Sequence, residues 1–244
     1  MKYSIHIGLN KVNPAAYGGW SGKLDDCVID KNNMQALANK CGYQVVASLS
    51  NDMATRTNIG RYIKLMADMA KPGDRVLITY SGHGGQLPDL NGDEPDGLDE
   101  TWACYDGQLI DDELNALLAL FKKGVLGVVF SDSCHSGTMT RMMPKVKKIV
   151  VIQSSWLLIS GCQDPETSAS TGQGGRFTTA LLEAYNPKPV VQSWWAKIIS
   201  PVPKITQKPN MWTLYETIQK NIVGQSPNWF QIGEPIDWKT KEVF

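Results

Sequence analysis

Apolar positions along the chain fall into two alternating kinds of segment. Residues 3–9 and 43–49 have the length and alternation of strands. Residues 75–80 (RVLITY) and 125–131 (VLGVVFS) are short, nearly continuous apolar runs of the kind buried on both faces of a sheet, and residues 155–160 make a further run. Between them the period changes to that of a helix. Ile59, Tyr62, Ile63, Met66 and Ala70 share one face, stopped by Lys71-Pro72-Gly73. Leu114, Leu117, Leu118 and Phe121 share another, bounded by Asp111 as a cap and by Gly124. Helices are expected over 177–185 and 211–222, and a last strand over 229–232. Strands separated by such helices predict an α/β three-layer sandwich, with helices on both faces of a mainly parallel sheet of about six strands. Residues 88–107 are acidic and glycine-rich and read as a loop; residues 186–210, with five prolines, Trp194 and Trp195, read as an irregular surface excursion.

Composition narrows the classes of function. Of 244 residues, 42% are apolar and 20% charged, enough for a sizeable core and too apolar for disorder. Lys plus Arg and Asp plus Glu each number 24, so the formal charge is zero, which argues against non-specific nucleic-acid binding. The longest apolar stretch, residues 149–162, is broken by Gln153, Ser154 and Ser155, so no membrane span is expected. The first residues, MKYSIHIGLN, alternate like a strand and lack the features of a secretory leader. Five cysteines without a C-x-x-C pair indicate neither a disulfide framework nor a zinc ribbon, and a reducing, cytoplasmic location is expected.

Candidate chemistry sits where two buried strands end. His6 lies within the first strand and reads as structural. His83 directly follows RVLITY, within Ser81-Gly82-His83-Gly84-Gly85, and Cys134 follows VLGVVFS, within Asp132-Ser133-Cys134-His135-Ser136-Gly137. In doubly wound sheets ligands bind beyond the carboxyl ends of the strands, and glycines there let backbone N–H groups approach a ligand. A thiol becomes a useful nucleophile when an imidazole takes its proton. The interval between the two residues holds about one helix and one strand, which places them on neighbouring strand ends. Cys134-His135 lacks the further ligands a metal site requires.

YSGHGG and SDSCHSG, in this order and spacing, resemble the His and Cys motifs of caspase-like cysteine peptidases, more closely those of metacaspases and their bacterial relatives. LDDCVIDKNNMQALANKCGY resembles the first helix of that family, DGLDETW and LIDDEL its acidic loop and following helix, and SGCQDPETSAS the start of its small-subunit region. The resemblance implies one catalytic domain over 1–244, with a large-subunit-like region to about residue 148 and a small-subunit-like region over 149–244. It implies a Cys–His dyad that hydrolyses peptide bonds, with Cys134 as nucleophile, His83 as general acid/base, and the backbone N–H groups of Gly84 and Cys134 as oxyanion hole. No orienting Asp or Asn is evident in the sequence.

Asp30 interrupts an apolar helical stripe of Cys27, Met34, Leu37 and Cys41. Two readings are open: a first-turn carboxylate favoured by the helix dipole, or a residue lining a pocket. The resemblance favours the pocket, in which Asp30 and Asp132 hold a basic substrate side chain with Cys27 and Ser81 nearby; cleavage after Arg, then Lys, is the expectation. Asp89, Asn91, Asp93 and Glu100 mimic an EF-hand loop, but Glu94 stands where that turn needs glycine. The resemblance implies calcium ligands at Asp99, Asp111 and Asp112, whereas the 138–141 stretch beyond Cys134 offers Arg141 in place of a further aspartate, so weak or absent calcium activation is expected. No cofactor is required for the chemistry. Arg141, Lys145, Lys147 and Lys148 form a basic cluster open to self-cleavage or to a plain solvated turn. The alternatives are a catalytically silent caspase-like scaffold, or the same chemistry with Asp specificity, which would need a basic pocket.

Overall fold

A computed structural model describes residues 1–88, 97–133, 150–161, 174–185, 209–222 and 227–242. Its centre is a six-stranded sheet of β1 (Lys2–Gly8), β2 (Gln44–Ser50), β3 (Arg75–Ser81), β7 (Leu126–Asp132), β8 (Ser155–Gly161) and β9 (Asn228–Gly233), in the order β2-β1-β3-β7-β8-β9. The first five are parallel and β9 joins antiparallel to β8. The inner strands are buried along nearly their whole length, as their unbroken apolar runs require.

Successive side chains of these strands feed two separate cores. Ile5, Ile7, Val76, Ile78, Val129 and Trp156 pack beneath α2 (Arg56–Met69) and α3 (Asp111–Leu118). Leu77, Val128, Phe130, Leu157 and Ile159 pack beneath α1 (Cys27–Lys40), α4 (Arg176–Tyr185) and α5 (Met211–Asn221). The result is the three-layer α/β sandwich expected from the pattern. His6 lies wholly buried, with its two ring nitrogens on Thr79 Oγ1 at 2.9 Å and Ser4 Oγ at 3.0 Å, and burial pushes its pKa down to about 3. It is a neutral structural residue.

Two expectations need correction. Most of the stretch read as an acidic loop, where described, is sheet: β4 (Gly84–Pro88), β5 (Leu98–Cys104) and β6 (Gly107–Ile110) form an antiparallel three-stranded sheet. Asp99 and Glu100 are buried in β5 beside Trp102, so acidic composition concealed an inward-facing strand. The interval from His83 to Cys134 therefore carries four strands (β4, β5, β6 and β7) and a helix rather than one strand and one helix. Asp111 is also not the cap of α3. Ile110 holds the cap position, Glu113 Oε2 accepts from the Ile110 N–H at 3.3 Å, and Asp111 is the first helical residue. α3 ends at Leu118, while Phe121 is still buried in the core. Residues 186–208 of the expected surface excursion lie outside the described residues; Asn210, at its end, caps α5 through Thr213 N–H.

Candidate active site

The sheet brings the two motif-bearing strands together in register. β3 and β7 are direct neighbours, and their last residues, Ser81 and Asp132, pair with each other. Gly82 N–H donates to the Asp132 carbonyl at 3.2 Å, carrying the contact past the strand ends. His83 follows one residue later. Cys134 and the rest of its motif lie outside the described residues, as do Asp89, Asn91, Asp93, Glu94, Arg141, Lys145, Lys147 and Lys148. Ser133, which precedes Cys134, is fully buried.

His83 is held on three sides. Its Nε2 lies 3.2 Å from the Gly22 carbonyl; a carbonyl only accepts, so Nε2 carries the proton and Nδ1 is left as the basic nitrogen. Trp20 covers the ring at 4.7 Å between centroids. The backbone carbonyl of His83 accepts from Tyr80 Oη–H at 2.7 Å and from Ala103 N–H at 2.9 Å. Tyr80 in turn stacks on Trp102, with centroids 4.5 Å apart, and Trp102 Nε1–H donates to Ser131 Oγ, which contacts Ser133 Oγ at 3.0 Å. This network ties the His83 turn to the end of β7. Burial pushes the His83 pKa down, outweighing the opposite pull of the Gly22 carbonyl, so the imidazole is neutral near pH 7.

Gly84 opens β4 opposite Trp102. The bond from Ala103 N–H to the His83 carbonyl makes Gly84 and Trp102 a non-hydrogen-bonded pair. In such a pair the Gly84 N–H points away from β5, as an oxyanion donor must.

Asp30 and Asp132 converge. Asp30 is 1% exposed and Asp132 3% exposed, and with Ser81 and Thr178 they line one cavity. Asp30 accepts from Ser81 Oγ–H at 2.8 Å and from Gly175 N–H at 2.8 Å. Asp132 accepts on Oδ2 from both the N–H (3.1 Å) and the hydroxyl (3.0 Å) of Thr178. Burial, then the charge of Asp132, pushes the Asp30 pKa up to about 7, against the pull of Ser81 and Gly175. Asp30 thus reaches across to β3 and to the residues ahead of α4, and its placement is that of a cavity residue. Cys27 lies beside Ser81, and burial pushes its thiol up to about 12. Cys104 is likewise buried and pushed up to about 12, and Cys41 is buried against Tyr185 Oη at 3.2 Å. None of these three is placed as an exposed thiolate.

The three aspartates of the calcium reading lie on two elements. Asp99 lies on β5, Asp111 and Asp112 start α3, and Asp111 Oδ1 accepts from the Asp112 N–H at 2.9 Å. Among the described residues no group of three or more His, Cys, Asp or Glu side chains is placed to hold a metal ion. Among the same residues no helix is long and apolar enough to cross a membrane.

Sequence reasoning did not reach Gly22, Trp20, Tyr80, Gly175 or Thr178. The Gly22 contact uses a main-chain carbonyl, which no residue type advertises. Thr178 looks like any small polar residue in a helix until α4 is placed against β7.

Residues 12–222 match the family model described as the caspase domain. Metacaspase-1A of Aspergillus clavatus is 36% identical over 149 residues, 55% of this chain and 33% of its own length. Metacaspase-1 of Cryptococcus neoformans is 36% identical over 254 residues, 75% of this chain and 54% of its own length. The chain thus spans only a third to a half of the length of these fungal relatives. Among solved structures, a Geobacter sulfurreducens protein superposes with a TM-score of 0.79 at 36% identity, over 99% of this chain and 97% of that one. Caspase-1 of Spodoptera frugiperda superposes with a TM-score of 0.57 at 14% identity, over 95% of this chain and 86% of its own, a likeness of fold.

Proposed function

The chain belongs to the caspase domain family, and on that premise we propose that it is a cysteine endopeptidase that cuts after basic residues, Arg over Lys. Cys134 is the nucleophile. Its proton passes to Nδ1 of His83, the thiolate adds to the substrate carbonyl, and the N–H groups of Gly84 and Cys134 receive the developing oxyanion. Collapse forms the acyl-enzyme, with the leaving amine taking its proton from His83. Water activated by the same imidazole then releases the acid and restores the thiol. The Gly22 carbonyl serves as the orienting third group, so no acidic triad member is needed.

One observation carries the specificity: two buried carboxylates, Asp30 and Asp132, meet beneath the strand ends that lead to His83 and Cys134. Two such groups ionise together only with a cation between them, and a planar guanidinium bonds both at once where an ammonium is a single point charge. An acidic side chain meets repulsion there, which disfavours Asp specificity. Activation by calcium is expected to be weak or absent. The test is kcat/KM for fluorogenic peptides ending in Arg, Lys, Gln or Asp. Arg first and Asp last supports the reading; preference for Asp overturns the specificity, and no turnover of any peptide favours a silent scaffold.

A further inference from the structure

Resting on the reading of Asp30 and Asp132 as a pocket for a basic side chain, we propose that the start of α4 belongs to the specificity apparatus. Thr178 is a positioning residue that orients Asp132 and holds it charged, and Gly175 is the position whose missing side chain leaves room for both carboxylates.

Thr178 places two donors on one oxygen of Asp132, at 3.1 Å from its N–H and 3.0 Å from its hydroxyl. Two directional bonds to a single oxygen fix the plane of the carboxylate as well as favouring its ionised form. Gly175 N–H does the corresponding service for Asp30 at 2.8 Å. The N-terminal end of a helix carries roughly half a positive charge, and here it faces both acids. It stands in part for the cation that substrate would bring.

A Cβ on Gly175 would lie 2.5 Å from Asp132 Oδ2 and 2.9 Å from Asp30 Oδ2, inside the contact distance of either oxygen. A Cβ on Gly174 would also press on Asp30 Oδ1. The two acids close on the same small space above the glycine pair, and no side chain fits there without moving them.

Helix capping accounts for only part of this arrangement. A single capping carboxylate, as Asp132 is for the Thr178 N–H, already satisfies one of the four free N–H groups at the start of α4, and water can serve the others. Burying a second beside it costs more than the cap returns, since each charge disfavours the other. The pair therefore points to a ligand that needs both acids, and α4 to the element that keeps them in place until it arrives. Among the described residues, the other titratable groups around the pair include Asp26, Cys27 and Lys31, at or just before the first turns of α1, and Tyr80 on β3, with His83 two residues beyond Ser81. A change confined to Thr178 leaves all of them in place.

The test compares the full chain with Thr178→Val, Thr178→Ser and Gly175→Ala, on fluorogenic peptides ending in Arg or Gln, from acid to alkaline pH. Wild type is expected to prefer Arg. Thr178→Val keeps the shape of threonine and removes the hydroxyl donor. It should lower kcat/KM for the Arg peptide about tenfold, through KM, with a clearly smaller loss for the Gln peptide. The pH at which Arg cleavage sets in should move up by about one unit, because the carboxylate has lost a bond that favours its ionised form. Thr178→Ser should restore both values. Gly175→Ala should abolish the preference for Arg. Equal loss on both peptides, an unmoved pH onset or failure of the serine rescue in the Thr178 variants overturns the positioning role and leaves the acidic pocket standing. Full Arg preference in Gly175→Ala overturns the role of the glycine. A wild type that does not prefer Arg overturns the pocket reading and this proposal together.

Discussion

Replacing Asp132 by Asn isolates the charge of the proposed pocket from its packing. Asn has the shape of Asp, and its carbonyl oxygen can still accept the two Thr178 donors that now bond Asp132 Oδ2. The helix end loses an anion, worth about 0.3–1 kcal/mol, so the melting temperature should fall by only a few degrees. For a basic substrate the loss is larger. Breaking a desolvated charge pair costs about 2–5 kcal/mol, or roughly 30- to 5000-fold in kcat/KM. One effect opposes it: the charge of Asp132 is the second cause, after burial, of the raised Asp30 pKa. Its removal lets Asp30 ionise more readily and bind part of the cation alone. The expected loss for the Arg peptide is therefore at the lower end, about 30- to 100-fold, with the Lys peptide following and the Gln peptide changed less than about threefold. The assay is kcat/KM for all three peptides on both proteins, with thermal unfolding as the fold control. Equal losses on Arg and Gln, or an unchanged Arg preference, would refute the acidic-pocket reasoning.

Further outcomes follow from the same geometry. Trp20 is 47% exposed yet covers His83, so Trp20→Ala should hydrate the imidazole, raise its pKa towards 6.5, and move the acid limb of Gln-peptide cleavage to higher pH; an unmoved limb contradicts the shielding. His6 takes up a proton in the folded chain only near pH 3, whereas in the unfolded chain it does so near 6.5. The unfolded state thus binds more protons in between, and stability falls as pH drops through that window, by about 3 kcal/mol near pH 4 from this group alone. Urea unfolding at several pH values should show a shallower acid loss for His6→Asn, and parallel curves would count against the assignment. Gly127 lies under the fully buried Trp156 ring, so a Cβ there collides with it, and Gly127→Ala should cost about 3 kcal/mol in urea unfolding. An unchanged midpoint would mean that the ring does not sit over β7 as described.

The centre of the sheet was legible because its inner strands are buried on both faces. RVLITY and VLGVVFS can hide their unbroken apolar runs only inside a parallel sheet, and β3 and β7 are the two central strands. The same logic placed His83 beyond β3 and the Cys134 motif beyond β7. β5 was missed because Asp99 and Glu100 outweighed Trp102, Ala103 and Cys104 in a reading by composition, although all five are buried. Asp30 was legible as an anomaly on an apolar stripe. The resemblance set Ser81 near it, but Gly175, which reaches it from a distant point of the chain, left no signal. Gly22 left no signal, since its contribution is a main-chain carbonyl.

The proposed hydrolysis turns on a thiolate at Cys134, and covalent labelling reads it directly. A peptidyl acyloxymethyl ketone ending in Arg would be incubated with the full chain and the modified residue found by peptide mass spectrometry. The expected result is a single adduct on Cys134, formed faster than with the corresponding Asp probe and suppressed in His83→Ala. Adducts on Cys27, Cys41, Cys104 or Cys162 in place of Cys134, or faster labelling by the Asp probe, would contradict it.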